Sequence, residues 1–74
     1  MPIRRMSMIE VFINGQAEQL PPAASVAELL AGKGLAGKRV AVERNGQIVP
    51  RGAHGQTRLV AGDRLEIVVA VGGG

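Results

Sequence analysis

The residues with the clearest chemical use stand at the end of the sequence, where Gly72, Gly73 and Gly74 follow an apolar segment. Glycine has no Cβ, so such a tail fits a narrow channel and lies close to another protein's backbone. A terminal carboxylate has a pKa of about 3.5, so it is ionised at neutral pH and can attack the α-phosphate of ATP. A sulfur nucleophile can then attack the unhindered acyl adenylate. The tail predicts chemistry at the Gly74 carboxylate, with Gly73 beside it.

Terminal glycines are also found in linkers and fraying chain ends, so the tail alone is a weak signal. The rest of the sequence offers few other reactive groups. It has no cysteine, which excludes disulfides, thiolate catalysis and cysteine-ligated metals, and its one histidine is His54. One histidine without cysteine cannot build a Cys–His or His-rich metal site, so we expect no metal. There is also no GxxxxGK[ST] phosphate loop, so we expect no bound cofactor and ATP held by a partner.

Composition indicates one small domain. A chain of 74 residues has room for a single thin core. The net charge of +3 suggests nucleic-acid binding, but the basic residues are scattered and there is one Phe with no Tyr or Trp to stack on bases. A solvated basic surface is favoured. The lack of cysteine fits a reducing cytoplasm, and the longest apolar run, residues 67–71, is too short to span a membrane.

Five extended segments and one helix are expected to carry the tail. Asn14-Gly15 and Asn45-Gly46 each separate two strand-like runs, which predicts two type I′ hairpins. The strands are predicted at residues 8–13, 16–20, 40–44, 47–49 and 64–69. Ser25 and Glu28 have the spacing of a capping box and predict a helix of about two turns, with Gly32 and Gly34 available as C-terminal caps.

This order predicts an α+β domain, a mixed sheet of four to five strands covered on one face by a short helix. Residues 1–7 are interpreted as a flexible extension, 8–71 as the domain and 72–74 as a flexible tail. Alternation along strands and helical spacing predict which side chains form the core. They are Ile9, Val11, Ile13, Val26, Leu29, Leu30, Val40, Val42, Leu65, Ile67 and Val69.

The same alternation places other residues on the face that no helix covers. If the first and last strands are neighbours, Phe12 and Val68 form one apolar patch there, with Ala70 in line. Single exposed apolar residues are common, but several on an open face favour a docking surface. We therefore predict Phe12, Val68, Ala70, Val71 and Gly72 as partner-binding residues.

The remaining polar candidates favour structural or solvated roles. Asn45-Gly46 and Gly62-Asp63 are interpreted as turns. Asp63, Glu66 and His54 could be grouped as an acid–base set, but nothing in the sequence places them together, so solvated surface is favoured and His54 is expected to be exposed. Arg51, after Pro50, is either a partner contact or solvated.

Four segments resemble the ThiS family of sulfur carriers of thiamine biosynthesis, and the similarity extends over residues 8–74. These segments are Ile13-Asn14-Gly15, the capped helix at residues 25–30, the hairpin with its Val-Pro-Arg exit at residues 40–51, and the ending at residues 62–74. The resemblance implies a ubiquitin-like β-grasp fold with the first and last strands paired in parallel. Gly73 and Gly74 occupy the positions of the family's terminal Gly-Gly.

The resemblance also implies a function and partners. The chain would be a cosubstrate and not an enzyme. An adenylyltransferase related to ubiquitin-activating enzymes would adenylate Gly74, and a cysteine desulfurase relay would supply sulfur for a terminal thiocarboxylate. Thiazole synthase would accept that sulfur. Neither nucleic acid nor a membrane is expected as a partner.

Three alternatives remain at the level of sequence. The small subunit of molybdopterin synthase resembles this fold and also ends in Gly-Gly. A ubiquitin-like interaction module would share the fold without being activated at its terminus. A small basic RNA-binding domain would use the positive charge instead.

Overall fold

The computed structural model describes residues 7–70. The predicted tail, and all but the last residue of the predicted N-terminal extension, lie outside the described residues. The chain forms strands β1 (Ile9–Ile13) and β2 (Gln16–Leu20), helix α1 (Val26–Gly32), and strands β3 (Val40–Arg44), β4 (Gln47–Val49) and β5 (Arg64–Val69). A single 3₁₀ turn, Arg51–Ala53, follows β4.

The five strands form one mixed sheet in the order β2-β1-β5-β3-β4. β1 and β5 are parallel, and the other three pairings are antiparallel. β5 is therefore the central strand, and the chain beyond Val69 leaves from the middle of the sheet. The predicted mixed sheet and its parallel pair are confirmed, with five strands.

Both Asn-Gly turns have the predicted geometry. Asn14 and Gly15 have φ of 51° and 85°, and Asn45 and Gly46 have φ of 52° and 86°. Two consecutive positive φ values define the type I′ turn, whose twist matches that of the flanking strands. In the strand order, the two hairpins, β1–β2 and β3–β4, lie on opposite sides of β5.

Helix α1 begins at the predicted capping box. The Glu28 amide donates to Ser25 Oγ over 3.0 Å, and the Ser25 amide donates to Glu28 Oε1 over 2.8 Å. At the other end the Leu35 amide reaches the Leu30 carbonyl and the Gly34 amide reaches the Ala31 carbonyl, which is a Schellman ending. Lys33 is the C-cap, Gly34 with φ of 74° is the left-handed residue after it, and Gly32 is the last helical residue.

The core lies between α1 and one face of the sheet. Eight of the eleven predicted core residues are buried, and Ile9 and Val40 are partly buried against them. The prediction for Val69 is wrong, because its side chain is 37% exposed. β1 ends at Ile13, opposite Leu65, so no neighbouring strand shields Val69 on that side.

Three buried hydrophobic residues were not predicted, namely Leu20, Ala24 and Leu59. Leu59 lies in the segment after the 3₁₀ turn and is 1% exposed. Its amide donates to the Ala24 carbonyl over 2.9 Å, which holds this segment against the start of the helix. The core therefore extends into a connection that has no periodic pattern in the sequence.

The expectation that His54 is exposed is also wrong. His54 is 8% exposed, and its Nε2 lies 3.1 Å from the Val49 carbonyl oxygen. The 3₁₀ turn folds the chain back after Pro50, and the Ala27 amide donates to the His54 carbonyl. His54 thus joins the end of β4 to the first turn of α1.

Candidate functional site

The site is the place where β5 leaves the sheet, because the chemical group expected from the sequence lies beyond it. Ala70 is the last described residue, and its amide donates to the Arg39 carbonyl over 2.9 Å. This bond continues the β3–β5 ladder by one residue beyond the strand. The direction of the chain is therefore fixed as far as Ala70.

An exposed apolar surface lies at this exit. Val68 is 62% exposed and pairs with Ala41 across the β3–β5 ladder. Ala41, Val68 and Ala70, here called the exit patch, share the sheet face opposite α1. They border a hollow of about 270 Å³ whose remaining wall includes Arg39 and Arg51. The patch is thus an exposed apolar surface beside the last described residue of the chain.

The expectation of one patch containing Phe12 and Val68 is wrong. The parallel register places Phe12 opposite Arg64, four residues before Val68 along β5. Four residues of strand span roughly 13 Å. The Arg64 guanidinium lies over the Phe12 ring, 5.4 Å from its centre, and Phe12 is half-buried. Phe12 and Val68 therefore offer two separate contacts on the same open face.

Asn14 extends the central pairing beyond the end of β1. Its backbone amide donates to the Leu65 carbonyl over 2.9 Å. Its side chain then bonds Ile67 twice, with Oδ1 accepting from the Ile67 amide at 2.8 Å and Nδ2 donating to the Ile67 carbonyl at 3.1 Å. The carboxamide acts as the next peptide group of β1. It ties down the side of β5 that faces away from β3, three residues before Ala70.

Asn45 does the same at the start of β5. Its Oδ1 accepts from the Arg64 amide at 2.9 Å, and its Nδ2 donates to Asp63 Oδ1 at 3.0 Å. The prediction that Asn45 and Asn14 belong to turns is confirmed, but each turn also holds β5 through its side chain. Neither contact was visible in the sequence, because the turn alone accounts for Asn-Gly.

Asp63 is buried, contrary to the expectation of a solvated turn residue. Its carboxylate accepts from the Val60 amide, Asn45 Nδ2 and Arg44 Nε over 2.9 to 3.0 Å. Burial disfavours the charged form, yet these hydrogen bonds and the Arg44 charge outweigh it and lower the pKa of Asp63. The carboxylate therefore joins the β3–β4 hairpin to the segment that leads into β5.

The other members of the suggested acid–base set lie elsewhere. Glu66 is exposed on the open face opposite Glu43, and His54 is buried near the end of β4. Within residues 7–70, no three His, Asp or Glu side chains are arranged to hold a metal ion. Val71, Gly72, Gly73 and Gly74 lie outside the described residues, so their predicted roles remain predictions.

A second hollow lies on the other side of the sheet, away from the exit patch. It measures about 660 Å³ and lies between β2 and α1, with Leu20, Pro21 and Leu29 in its wall. Its charged groups pair with each other, since Lys33 bonds Glu18 at 2.7 Å and Arg58 lies 3.6 Å from Glu28. The described helix, seven residues long, is too short to cross a bilayer.

Comparisons with known proteins agree with this architecture. Residues 10–74 match the model of the ThiS family. The crystal structure of a thiamine biosynthesis protein, ThiS, from Geobacter metallireducens superimposes with a TM-score of 0.75 at 30% identity, covering 89% of this chain and all of that one. The likeness confirms the β-grasp fold.

Two curated relatives are longer proteins. Thiazole synthases from Paramagnetospirillum magneticum and Magnetococcus marinus are 39% and 36% identical to this chain over 66 residues. That match covers 89% of this chain and only 20% of each relative. The family match covers nearly the whole sequence, with the solved ThiS structure in agreement. The chain therefore belongs to the ThiS family.

Proposed function

We propose that the carboxylate of Gly74 is the group that carries the sulfur. An oxygen of this carboxylate attacks the α-phosphate of ATP on an activating enzyme, and pyrophosphate leaves. The outer sulfur of a persulfide on the sulfur relay then attacks the carbonyl of the acyl adenylate, AMP leaves, and an acyl disulfide forms. A thiol then attacks the relay's sulfur of that S–S bond, so that a disulfide forms on the relay and the thiocarboxylate is released. The product is a thiocarboxylate at the end of the tail, and ATP is consumed without being bound by this chain.

The observation that carries this proposal is the course of β5. The strand lies at the centre of the sheet, both Asn-Gly hairpins hold it, and it leads directly to Gly72, Gly73 and Gly74. A rigid root beside a side-chain-free tail suits delivery of a terminus into another protein's active site, because positioning contributes much of the rate of such reactions.

The exit patch supplies the docking surface in this proposal. Val68 and Ala70 contact the activating enzyme, Phe12 makes a second contact on the same face, and Val71 and Gly72 enter the partner with the tail. The partners are an adenylyltransferase related to ubiquitin-activating enzymes and, indirectly, a cysteine desulfurase relay, all in the cytoplasm. Two relatives carry the name thiazole synthase, which supports thiazole synthase as the sulfur acceptor.

Changing the length of the tail by one residue tests which group reacts. Deletion of Gly74, or addition of one residue after it, is expected to abolish ATP–pyrophosphate exchange by the purified activating enzyme. One residue moves an extended terminus by roughly 3.3–3.6 Å, whereas a misplacement of about 1 Å costs a hundredfold in rate. An added residue also converts the Gly74 carboxylate into an amide.

Melting curves serve as the control for these tail variants. Gly74 has no side chain to bury, so the thermal midpoint should equal that of the unaltered protein. Exchange at the unaltered rate by the shortened chain would show that the terminus does not react. The chain would then fit the alternative of a ubiquitin-like module that is never activated.

A further inference from the structure

The charges of the described residues are paired unevenly. Ion pairs join Lys33 to Glu18, Arg44 to Asp63 and Arg58 to Glu28. The Arg64 guanidinium lies over the Phe12 ring. The other three cations between residues 7 and 70 have no acidic side chain within ion-pair distance. They are Lys38, Arg39 and Arg51.

Two of these three cations, Arg39 and Arg51, lie beside the point where β5 ends. The Arg39 carbonyl accepts the Ala70 amide, and Arg39 and Arg51 border the hollow beside Val68 and Ala70. Arg51 also borders a neighbouring hollow of about 280 Å³ with Lys38. All three residues are exposed. Lys38, Arg39 and Arg51 are here called the cationic rim. Arg39 and Arg51 flank the exit patch, and Lys38 precedes Arg39 in the chain and borders the hollow on the side of α1.

The acidic residues that form no ion pair are Glu10, Glu43 and Glu66, and they lie further from the tail on the open face. Glu43 and Glu66 face each other across the β3–β5 ladder, two residues along each strand from Ala41 and Val68. Like charges that face each other in this way destabilise a sheet. The face therefore changes from negative at its middle, through the apolar exit patch, to positive at the tail. Neither charge pattern is neutralised within the described domain.

We propose that the cationic rim docks on carboxylates that surround the entrance through which the activating enzyme admits the tail. This inference rests on the proposed function. The triphosphate of ATP is a less suitable partner, because it must meet Gly74, which is four residues beyond Ala70 and up to roughly 14 Å away in an extended chain. The carboxylates around this entrance, here called the acidic collar, would face the cationic rim at the root of the tail. The apolar exit patch would then lie against the enzyme.

Charge complementarity of this kind acts mainly on encounter and orientation. The rim should therefore lower the KM for the carrier protein in the exchange reaction and leave kcat unchanged. The test compares two double variants, Arg39→Gln with Arg51→Gln, and Lys33→Gln with Arg58→Gln. Each removes two positive charges. The second pair is the control, because Lys33 and Arg58 line the hollow between β2 and α1.

The Arg39→Gln/Arg51→Gln protein is expected to raise KM about three- to tenfold at low ionic strength, with kcat unchanged. Added salt should raise the KM of the unaltered protein and narrow the difference, since exposed charges are screened beyond about 10 Å at 0.1 M salt. The control pair should keep the unaltered KM. Melting curves verify that both proteins are folded.

Equal KM values for the two double variants would overturn the acidic collar, because net charge alone would then explain any effect. A fall in kcat with unchanged KM would overturn it too, since the rim would then act after docking. A complete lack of exchange by the unaltered protein would instead refute the proposed function, and the collar with it. Salt-sensitive binding of single-stranded RNA that is lost in the rim variant, without any change in KM, would assign the rim to nucleic acid.

Discussion

Two asparagine side chains take the place of missing peptide groups beside β5. Asn14 bonds both the amide and the carbonyl of Ile67, and Asn45 bonds the Arg64 amide and Asp63. A net contribution of roughly 1 kcal/mol for each hydrogen bond makes either side chain comparable to a helix cap or a small core substitution. Their positions differ, since one lies near the tail and the other at the opposite end of the strand.

Replacement of each asparagine by glycine separates the turn from this contact. Glycine accepts the positive φ of 51° or 52°, so the hairpins should form in both Asn14→Gly and Asn45→Gly. Each variant is expected to lose about 1–3 kcal/mol of unfolding free energy. Amide hydrogen exchange should accelerate locally at Ile67 in the first and at Arg64 in the second. Unchanged exchange at Ile67 in Asn14→Gly would show that β3 alone holds the end of β5.

Asp63 makes stability depend on pH. Its folded pKa lies below the ordinary value, so its contribution is fully present above about pH 3.9 and is lost as the pH falls through the lower folded pKa. Asp63→Asn should therefore be less stable than the unaltered protein by about 1–3 kcal/mol at pH 7. This difference in unfolding free energy between the two proteins should disappear in acid.

Urea unfolding of both proteins between neutral pH and acid measures this gap. The Glu28 carboxylate, whose pKa is lowered by the Ser25 amide and hydroxyl, is present in both proteins and cancels in the difference. A gap that stays constant into acid would mean that the Asp63 charge contributes nothing. Comparison with Asp63→Asn also separates the effect of the Asp63 carboxylate from the general loss of stability in acid.

At the scale of elements, the sequence predicted all that depends on local pattern. The two Asn-Gly hairpins, the Ser25–Glu28 capping box and the alternation along β1 and β5 are each determined by neighbours in the chain. Val69 was mispredicted because its exposure depends on where β1 stops. Leu59, His54 and Asp63 were mispredicted because a connection without periodicity is buried by contacts with residues distant in sequence.

The register of β1 against β5 leads to a prediction about docking. Phe12 and Val68 lie roughly 13 Å apart, so substitutions at the two should act independently on the affinity for the activating enzyme. Val68→Asn and Phe12→Asn are each expected to raise KM in the exchange assay, and the effects should add as free energies in the double variant. Val60→Asn, at a valine 55% exposed in a loop, is the matched control for Val68→Asn.

A strongly non-additive double variant would mean that the two side chains form one contact after all. Unchanged KM in both single variants, with intact folding, would place the docking surface elsewhere. Unfolding of the Val68 variant would contradict the assigned face, because a shift of one residue in register exchanges the two faces of a strand.

At the scale of the whole molecule, the parts have separate tasks. One face of the sheet packs on α1 and forms the core, and the other face stays open with the exit patch, beside Arg39 and Arg51 of the cationic rim. The central strand leads out of the packed domain towards Gly74, the residue proposed to carry the sulfur. In that proposal the domain holds the root of the tail, and the partners supply the catalysis.

The most direct test of this account is the intact mass of the protein after incubation with the activating enzyme, ATP and a sulfur source. We predict that one oxygen is replaced by sulfur, and that fragmentation places the change at Gly74. The protein that lacks Gly74 should keep its original mass. An unchanged mass for the full chain under conditions where the enzyme is active, or sulfur found at any other residue, would contradict the assignment of the terminal carboxylate as the sulfur-carrying group.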